Sequence, residues 1–151
     1  MSKKNKDSLG TRMKRYEAVN QSLLPLHSYV VVRVDGRAFH TYTAKMGKPF
    51  DTQLMETMDA TTIALCKEMQ NAVLGYVQSD EISILLYDKG INTQPWFDNE
   101  VEKIVSVSAS IATSTFNQQM TLTKFDQMIA NGTTVDIIRS LLTSKQAQFD
   151  S

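Results

Sequence analysis

The order of apolar patterns along the chain predicts an α+β fold, a ferredoxin-like βαββα unit with both long helices on one face of the sheet. Three observations predict it. A β-branched run, Tyr29-Val-Val-Val-Arg-Val34, precedes a helical pattern that reaches about Gln70. Two more strand-like runs, Ala72–Val77 and Ile82–Tyr87, are separated only by Gln78-Ser79-Asp80-Glu81, short enough for a hairpin. A second long helical pattern follows Asp98. The final strand that would complete a βαββαβ unit is missing or displaced.

The first fifteen residues carry Lys3, Lys4, Lys6, Arg12, Lys14 and Arg15 against one acid, Asp7. Such an arm is either simply solvated or contacts phosphates. A helix from Thr11 to Leu26 is expected to end near Pro25, because proline cannot continue it. Tyr29–Val34 shows no alternation, which predicts a strand buried on both faces near the centre of the sheet. It stops at Asp35-Gly36-Arg37, where glycine permits a sharp turn and a close approach of backbone to a ligand. Residues 39–47 read as a loop or helical turn, and Lys48-Pro49-Phe50 as extended. Asp51 is placed to cap the next helix, whose stripe is Leu54, Met58, Leu65 and Met69 with Met55 and Cys66 beside it. After a loop over residues 88–97, Asp98 is expected to cap the second helix, with Val101, Ile104, Val105, Ile111 and Ala112 as its apolar stripe. Its small residues Ser106, Ser108, Ala109 and Ser110 suit close packing on a sheet. The pattern decays after Phe116. Residues 121–140 have room for one or two short helices separated by Asn131-Gly132. The expected organisation is a basic arm and short helix over 1–28, the main domain over 29–118, and a divergent helical tail over 119–151.

At 151 residues and 17.0 kDa the chain has the length of one domain, and 42% hydrophobic residues suffice for a core. Sixteen basic residues balance sixteen acidic ones, so a nucleic-acid surface has to be a local patch. One cysteine and two histidines exclude a disulfide framework, a CxxC site and a His-rich metal centre. The expected location is the cytoplasm, without a membrane partner: no apolar run is long enough to span a bilayer, and the start lacks the apolar region of a signal peptide.

Two acids stand out for chemistry. Asp35 follows the central strand and Asp80 sits at the hairpin; if those strands pair, both carboxylates meet at one end of the sheet. Like charges so placed repel unless a cation lies between them, and a hard cation such as Mg²⁺ needs only one or two carboxylates. Asp35, Asp80 and Glu81 therefore make a candidate centre for phosphoryl transfer. Taken alone, the same residues also read as ordinary turn polars, or as an acid–base pair acting on a glycoside. The nearby cations Arg33, Arg37 and Lys48 favour an anionic substrate. Cys66 reads as inert core, His27 as structural or exposed, and His40 as either a loop or a ligand-contacting residue.

Three blocks, Val32-Arg-Val-Asp-Gly-Arg-Ala-Phe-His40, Lys48-Pro49-Phe50-Asp51 and Gly75-Tyr-Val-Gln-Ser-Asp-Glu-Ile-Ser83, together resemble the tRNA-His guanylyltransferase family, which includes related 3′–5′ polymerases. Tyr16-Glu17, and Lys103 in a helix containing Ser108-Ala-Ser110, extend the resemblance over about residues 11–118. It implies a polymerase-type palm that adds GTP-derived nucleotides to the 5′ end of tRNA after activating the 5′ phosphate with ATP or GTP. It also implies two Mg²⁺ ions on Asp35, Asp80 and the carbonyl of Gly36, and a catalytic role for Glu81. Amides around Arg37, Ala38, Phe39 and His40 would cradle a triphosphate. Lys48 and Ser79 match positions near the nucleotides, and Arg33 and Lys103 match positions that meet phosphate or RNA. Family members continue well beyond Gln148-Phe149-Asp150-Ser151, which looks like the start of their next strand. The alternative is therefore a non-catalytic nucleotide- or RNA-binding truncated palm that needs a partner chain. An unpaired sheet edge favours a homo-oligomer, dimer or tetramer, or a complementing C-terminal chain.

Overall fold

The computed structural model describes residues 8–90, 93–132 and 146–151. Along the chain these form α1 (Leu9–Ala18), β1 (Tyr29–Gly36), α2 (Phe39–Tyr42), α3 (Thr52–Glu68), β2 (Ala72–Gln78), β3 (Glu81–Tyr87), α4 (Val101–Ala130) and β4 (Phe149–Asp150), with a 3₁₀ turn at Trp96–Asn99. The four strands pair antiparallel in the order β2-β3-β1-β4, with α3 and α4 packed against the sheet. This is the ferredoxin-like arrangement predicted from the pattern. The fourth strand is neither missing nor displaced: Phe149 and Asp150 pair with Gly36 and Asp35 at the position a βαββαβ unit requires. Two residues are too few to show a period in sequence.

β1 is central, as expected, but only one of its faces is covered. Val32, Val34 and Gly36 are buried, while Tyr29 and Val31 are 67% and 62% exposed. Both long helices lie on the same side, so the run of valines conceals an alternation that the packing imposes.

α3 begins where Asp51 caps it, its Oδ1 accepting the Leu54 N–H at 2.9 Å. It buries Met58 and Leu65 together with Thr57, Thr61 and Thr62. Each threonine hydroxyl donates to the carbonyl one turn back, at 2.7 to 2.8 Å, so no buried hydroxyl is left unbonded. Cys66 packs near Gly75, and burial pushes its thiol pKa up.

The remaining helices depart from expectation. α1 is capped by Ser8 and stops at Val19, short of Leu26. The following chain is tied to the start of α4 instead, through Leu24 N–H to Asn99 O at 3.0 Å and Val101 N–H to Ser22 O at 2.9 Å. Asp98 does not cap α4. It sits inside the 3₁₀ turn at φ 53°, accepting from Gln94 at 2.8 Å, and α4 starts after Glu100. α4 then runs thirty residues without a break, through position 118 and up to Asn131-Gly132. Its buried stripe is Ile104, Ser108, Ala112, Phe116 and Met120, spaced four apart; Val105 lies off it. The helical spacing after Val135 and the arm lysines Lys3, Lys4 and Lys6 lie outside the described residues, whereas Arg12, Lys14 and Arg15 fall on α1.

One core joins both layers. Val34, Ile82 and Ile84 meet Met58, Leu65 and Phe116 there. At one end an aromatic cluster of Phe39, Tyr42, Phe116 and Phe149 packs with ring centroids 5.2 to 5.9 Å apart. That cluster forms the floor on which the loop after β1 rests.

Candidate active site

Strand pairing brings the two sequence-selected aspartates together. Asp35 lies opposite Glu81 in the β1–β3 register, and Gln78 lies opposite Glu81 in β2–β3, so Ser79-Asp80 is a two-residue turn at the same end of the sheet. The Gly36 N–H donates to the Asp80 carbonyl at 3.0 Å, which locks the end of β1 against that turn. A cleft of about 530 Å³ opens there, lined by Asp35, Ser79 and Asp80 on the sheet side and by His40, Lys48 and Asp51 opposite.

The loop between β1 and α2 is shaped by one close approach. A Cβ on Gly36 would lie 2.3 to 2.6 Å from the Phe39 ring. The ring is buried in the aromatic cluster, so Phe39 faces the core and only its main chain serves the cleft. The residue that turns the chain is Ala38, at φ 53°, not Gly36. Ser79 is likewise left-handed, at φ 58°. Both non-glycine residues line the cleft, and such conformations are held only where surrounding contacts impose them. The N–H groups of Ala38, Phe39 and His40 have no acceptor among the described residues, whereas the Arg37 N–H donates to Gln148 O at 2.8 Å. The amides open to an anion are thus those of residues 38–40.

Asp51 does more than the capping read from sequence. Its second carboxylate oxygen accepts the Gly47 N–H at 2.9 Å, pinning the loop that carries Lys48 to the start of α3. Hydrogen bonds from Leu54 and Gly47 hold its carboxyl below the usual aspartate range. The sequence signal for this clamp is only an aspartate four residues after a glycine, a spacing that helix capping alone also accounts for.

The profile of the family described as tRNAHis guanylyltransferase matches residues 10–151. The chain belongs to the tRNAHis guanylyltransferase family. It is 34% identical over 108 residues to a probable tRNA(His) guanylyltransferase of Dictyostelium discoideum, covering 68% of this chain and 41% of the relative. It is 34% identical over 106 residues to the tRNA(His) guanylyltransferase of Schizosaccharomyces pombe, covering 69% and 38%. A bacterial tRNA(His) guanylyltransferase-like protein solved in complex with ATP superposes with a TM-score of 0.77 at 42% identity, over 95% of this chain and 56% of that one. A bacterial protein of the same description in complex with GTP gives 0.76 at 42% identity, over 95% and 61%. The chain thus spans about two fifths of the length of these curated relatives. The fold is the palm-type fold of the tRNAHis guanylyltransferases.

Four site residues selected from sequence, and His27 besides, stand apart from the cleft in this family member. Glu81 and Arg33 pair with each other across β1 and β3 at 3.2 Å, and Arg33 also donates to Ser83 at 3.4 Å. Arg37 contributes its amide to β4 rather than to the cleft. Lys103 sits on the first turn of α4, 2.7 Å from Glu100, whose hydrogen bond and charge raise the lysine pKa. His27 stands 3.8 Å from the Asp88 carboxylate, away from the cleft. Among the described residues no three His, Cys, Asp or Glu side chains gather as a metal-holding group, so Asp35 and Asp80 stand as a pair.

Proposed function

We propose that this chain is a nucleotidyltransferase that adds GTP-derived nucleotides to the 5′ end of tRNA in the 3′–5′ direction, after ATP or GTP has activated the 5′ phosphate. The observation that carries the reading is the convergence of Asp35 and Asp80 beside a cleft of about 530 Å³ whose opposite wall offers Lys48 and three unbonded amides. Carboxylates on one side and N–H donors on the other suit a polyphosphate bridged to the protein by a cation. Family membership and the ATP and GTP bound by the bacterial relatives support it.

The donor set fits magnesium. Asp35, Asp80 and the Gly36 carbonyl offer only hard oxygen ligands, and two carboxylates leave positions for water and phosphate. When bound, two such ions would neutralise the charge on the attacking and leaving oxygens. The chain's own residues do the rest. The amides of Ala38, Phe39 and His40 hold the triphosphate, Lys48 and Ser79 flank it, and Asp51 keeps the Lys48 loop in place. In the first step a 5′-phosphate oxygen of the RNA attacks the α-phosphorus of ATP and pyrophosphate leaves. In the second the 3′-hydroxyl of an incoming nucleotide attacks the activated 5′ phosphate, losing its proton as AMP departs. Glu81 acts from the neighbouring strand, and Arg33 and Lys103 meet the RNA backbone from outside the cleft.

The partners under this reading are ATP, GTP and the 5′ end of tRNA or another RNA, and the compartment is the cytoplasm. Among the described residues no helix is long and apolar enough to cross a membrane. Incubation with Mg²⁺, labelled ATP and 5′-monophosphorylated tRNA tests the proposal. Adenylylated and then extended RNA is the expected product, lost in Asp35→Ala and Asp80→Ala. Nucleotide binding without any product, with turnover appearing only when a second chain is added, would replace it by the binding-module reading.

A further inference from the structure

A second cavity, of about 380 Å³, lies between residues 49–51, the N-terminal half of α3 and the end of β2. Its volume falls in the range of about 300–1,000 Å³ usual for small-molecule sites. It shares Pro49, Asp51, Leu54 and Ser79 with the cleft, so the two are continuous along one wall. The rest of its lining is of two kinds. Phe50, Met55, Met58 and Val77 are apolar, and of these only Met58 is buried. Phe50 is 79% and Met55 52% exposed. An aromatic ring and a thioether left in water beside a cavity are surface that a flat apolar ligand would cover. The polar side is Asp59 and Gln78. Gln78 is engaged, its side-chain oxygen accepting from the Tyr76 hydroxyl at 3.3 Å. Asp59, one helical turn beyond Met55, has no hydrogen bond or ion pair among the described residues. Asp51 already accepts from Leu54 and Gly47, so Asp59 is the carboxylate of this cavity with both oxygens unspent.

We propose that this cavity seats the guanine base of a nucleotide whose phosphates lie in the adjoining cleft, and that Asp59 is the residue that selects guanine. The proposal rests on the nucleotide-binding reading of the cleft and adds to it a base seat and a specificity-determining side chain. The ring lies against Met55 and Met58 beside Phe50, and Asp59 meets its edge. An ionised carboxylate only accepts hydrogen bonds. On its pairing edge guanine presents two adjacent donors, N1–H and the 2-amino group, which match a carboxylate bidentately. Adenine and cytosine set a donor beside an acceptor there, and uracil flanks its one donor with two carbonyls. Each of these turns a lone pair toward Asp59 and leaves the carboxylate partly unpaired. A site that pairs with substrate N–H groups discriminates in this way against analogues that lack them.

Isothermal titration of the Mg²⁺ complexes of guanosine, inosine and adenosine triphosphate into the full chain, without RNA, tests it. The inosine nucleotide differs from the guanosine one only by the missing 2-amino group. The wild type should bind the guanosine nucleotide at least about fivefold more tightly than the inosine nucleotide, the effect of one hydrogen bond to a charged group. In Asp59→Asn that difference should fall below about twofold, with affinity for the adenosine nucleotide unchanged. Phe50→Ala should weaken all three by at least about fivefold, because stacking does not read the edge of the ring. Both side chains are exposed, and an unchanged far-UV spectrum and melting temperature confirm that each variant folds. Equal affinity of the wild type for the guanosine and inosine nucleotides, a preference that survives Asp59→Asn, or binding indifferent to Phe50→Ala overturns the proposal and leaves the cleft reading in place. If none of the three nucleotides binds, the cleft reading falls with it.

Discussion

Replacing Gly36 by alanine tests how the cleft floor is built. The added methyl would lie 2.3 Å from Cδ2 of Phe39 and 2.6 Å from Cε2 and Cγ. Carbon–carbon contacts settle near 3.5–4.0 Å, so the ring has to retreat by about 1 Å. Phe116 and Phe149 stand behind it at centroid distances of 5.5 and 5.2 Å, with Tyr42 at 5.3 Å, so the retreat meets packed aromatic carbon. Overpacking of this kind costs about 1–3 kcal/mol. For a chain of this length that lowers the melting temperature by about 2–12 °C. Urea unfolding followed by tryptophan and tyrosine fluorescence measures the loss. The same variant should bind ATP more weakly, because moving Phe39 moves the amides of residues 38–40. Adding Phe39→Leu, which shortens the group that is met, should recover at least about 1 kcal/mol relative to the sum of the single changes. A Gly36→Ala protein within about 0.5 kcal/mol of wild type, with no coupling to Phe39, would refute the account of this loop.

Asp35→Asn and Asp80→Asn should each lower RNA adenylylation by at least about 100-fold while leaving urea stability within about 0.5 kcal/mol, since both side chains serve charge rather than packing. Asp51→Ala should lose the cap and the Gly47 clamp, about 1 kcal/mol near neutral pH. The folded carboxyl titrates below its unfolded value of about 3.9, so its contribution is complete above that pH and disappears as pH falls through the lower folded value. Wild-type and variant unfolding curves should therefore converge in acid. Phe149→Ala should cost about 3–5 kcal/mol by emptying one place in the aromatic cluster; a loss under about 1 kcal/mol would mean that β4 is not packed. A double-mutant cycle on Arg33 and Glu81 should give less than about 1 kcal/mol, because Arg33 is 63% exposed at the pair.

What could be read in advance follows from where each signal lives. The positions of Asp35 and Asp80 were legible because strand pairing converts two distant stretches into one sheet end. Tyr29 and Val31 misled because their hydropathy does not differ from that of Val32 and Val34; only the placement of both helices on one side decides which are covered. The need for glycine at position 36 was visible but not its reason, which is a ring three residues on. The stop before α4 depends on left-handed backbone at Phe97, Asp98 and Asn99, to which capping rules are blind. α4 outlasts its apolar pattern because Phe116 and Met120 still anchor it, while the hydroxyls of Thr121 and Thr123 bond back to Asn117 and Gln119 within the helix.

The buried threonines of α3 carry a mechanical consequence. All three hydroxyls spend their hydrogen bonds on their own helix, so none of them bolts α3 to the strands beneath. The seating there is by shape instead: Thr62 and Cys66 occupy the space that a side chain at Gly75 would fill. The Lys48 loop is clamped to the leading end of that helix through Asp51. The wall of the cleft that carries Lys48 is therefore referenced, through one carboxylate, to a helix whose seat on the sheet is fixed by the fit at Gly75.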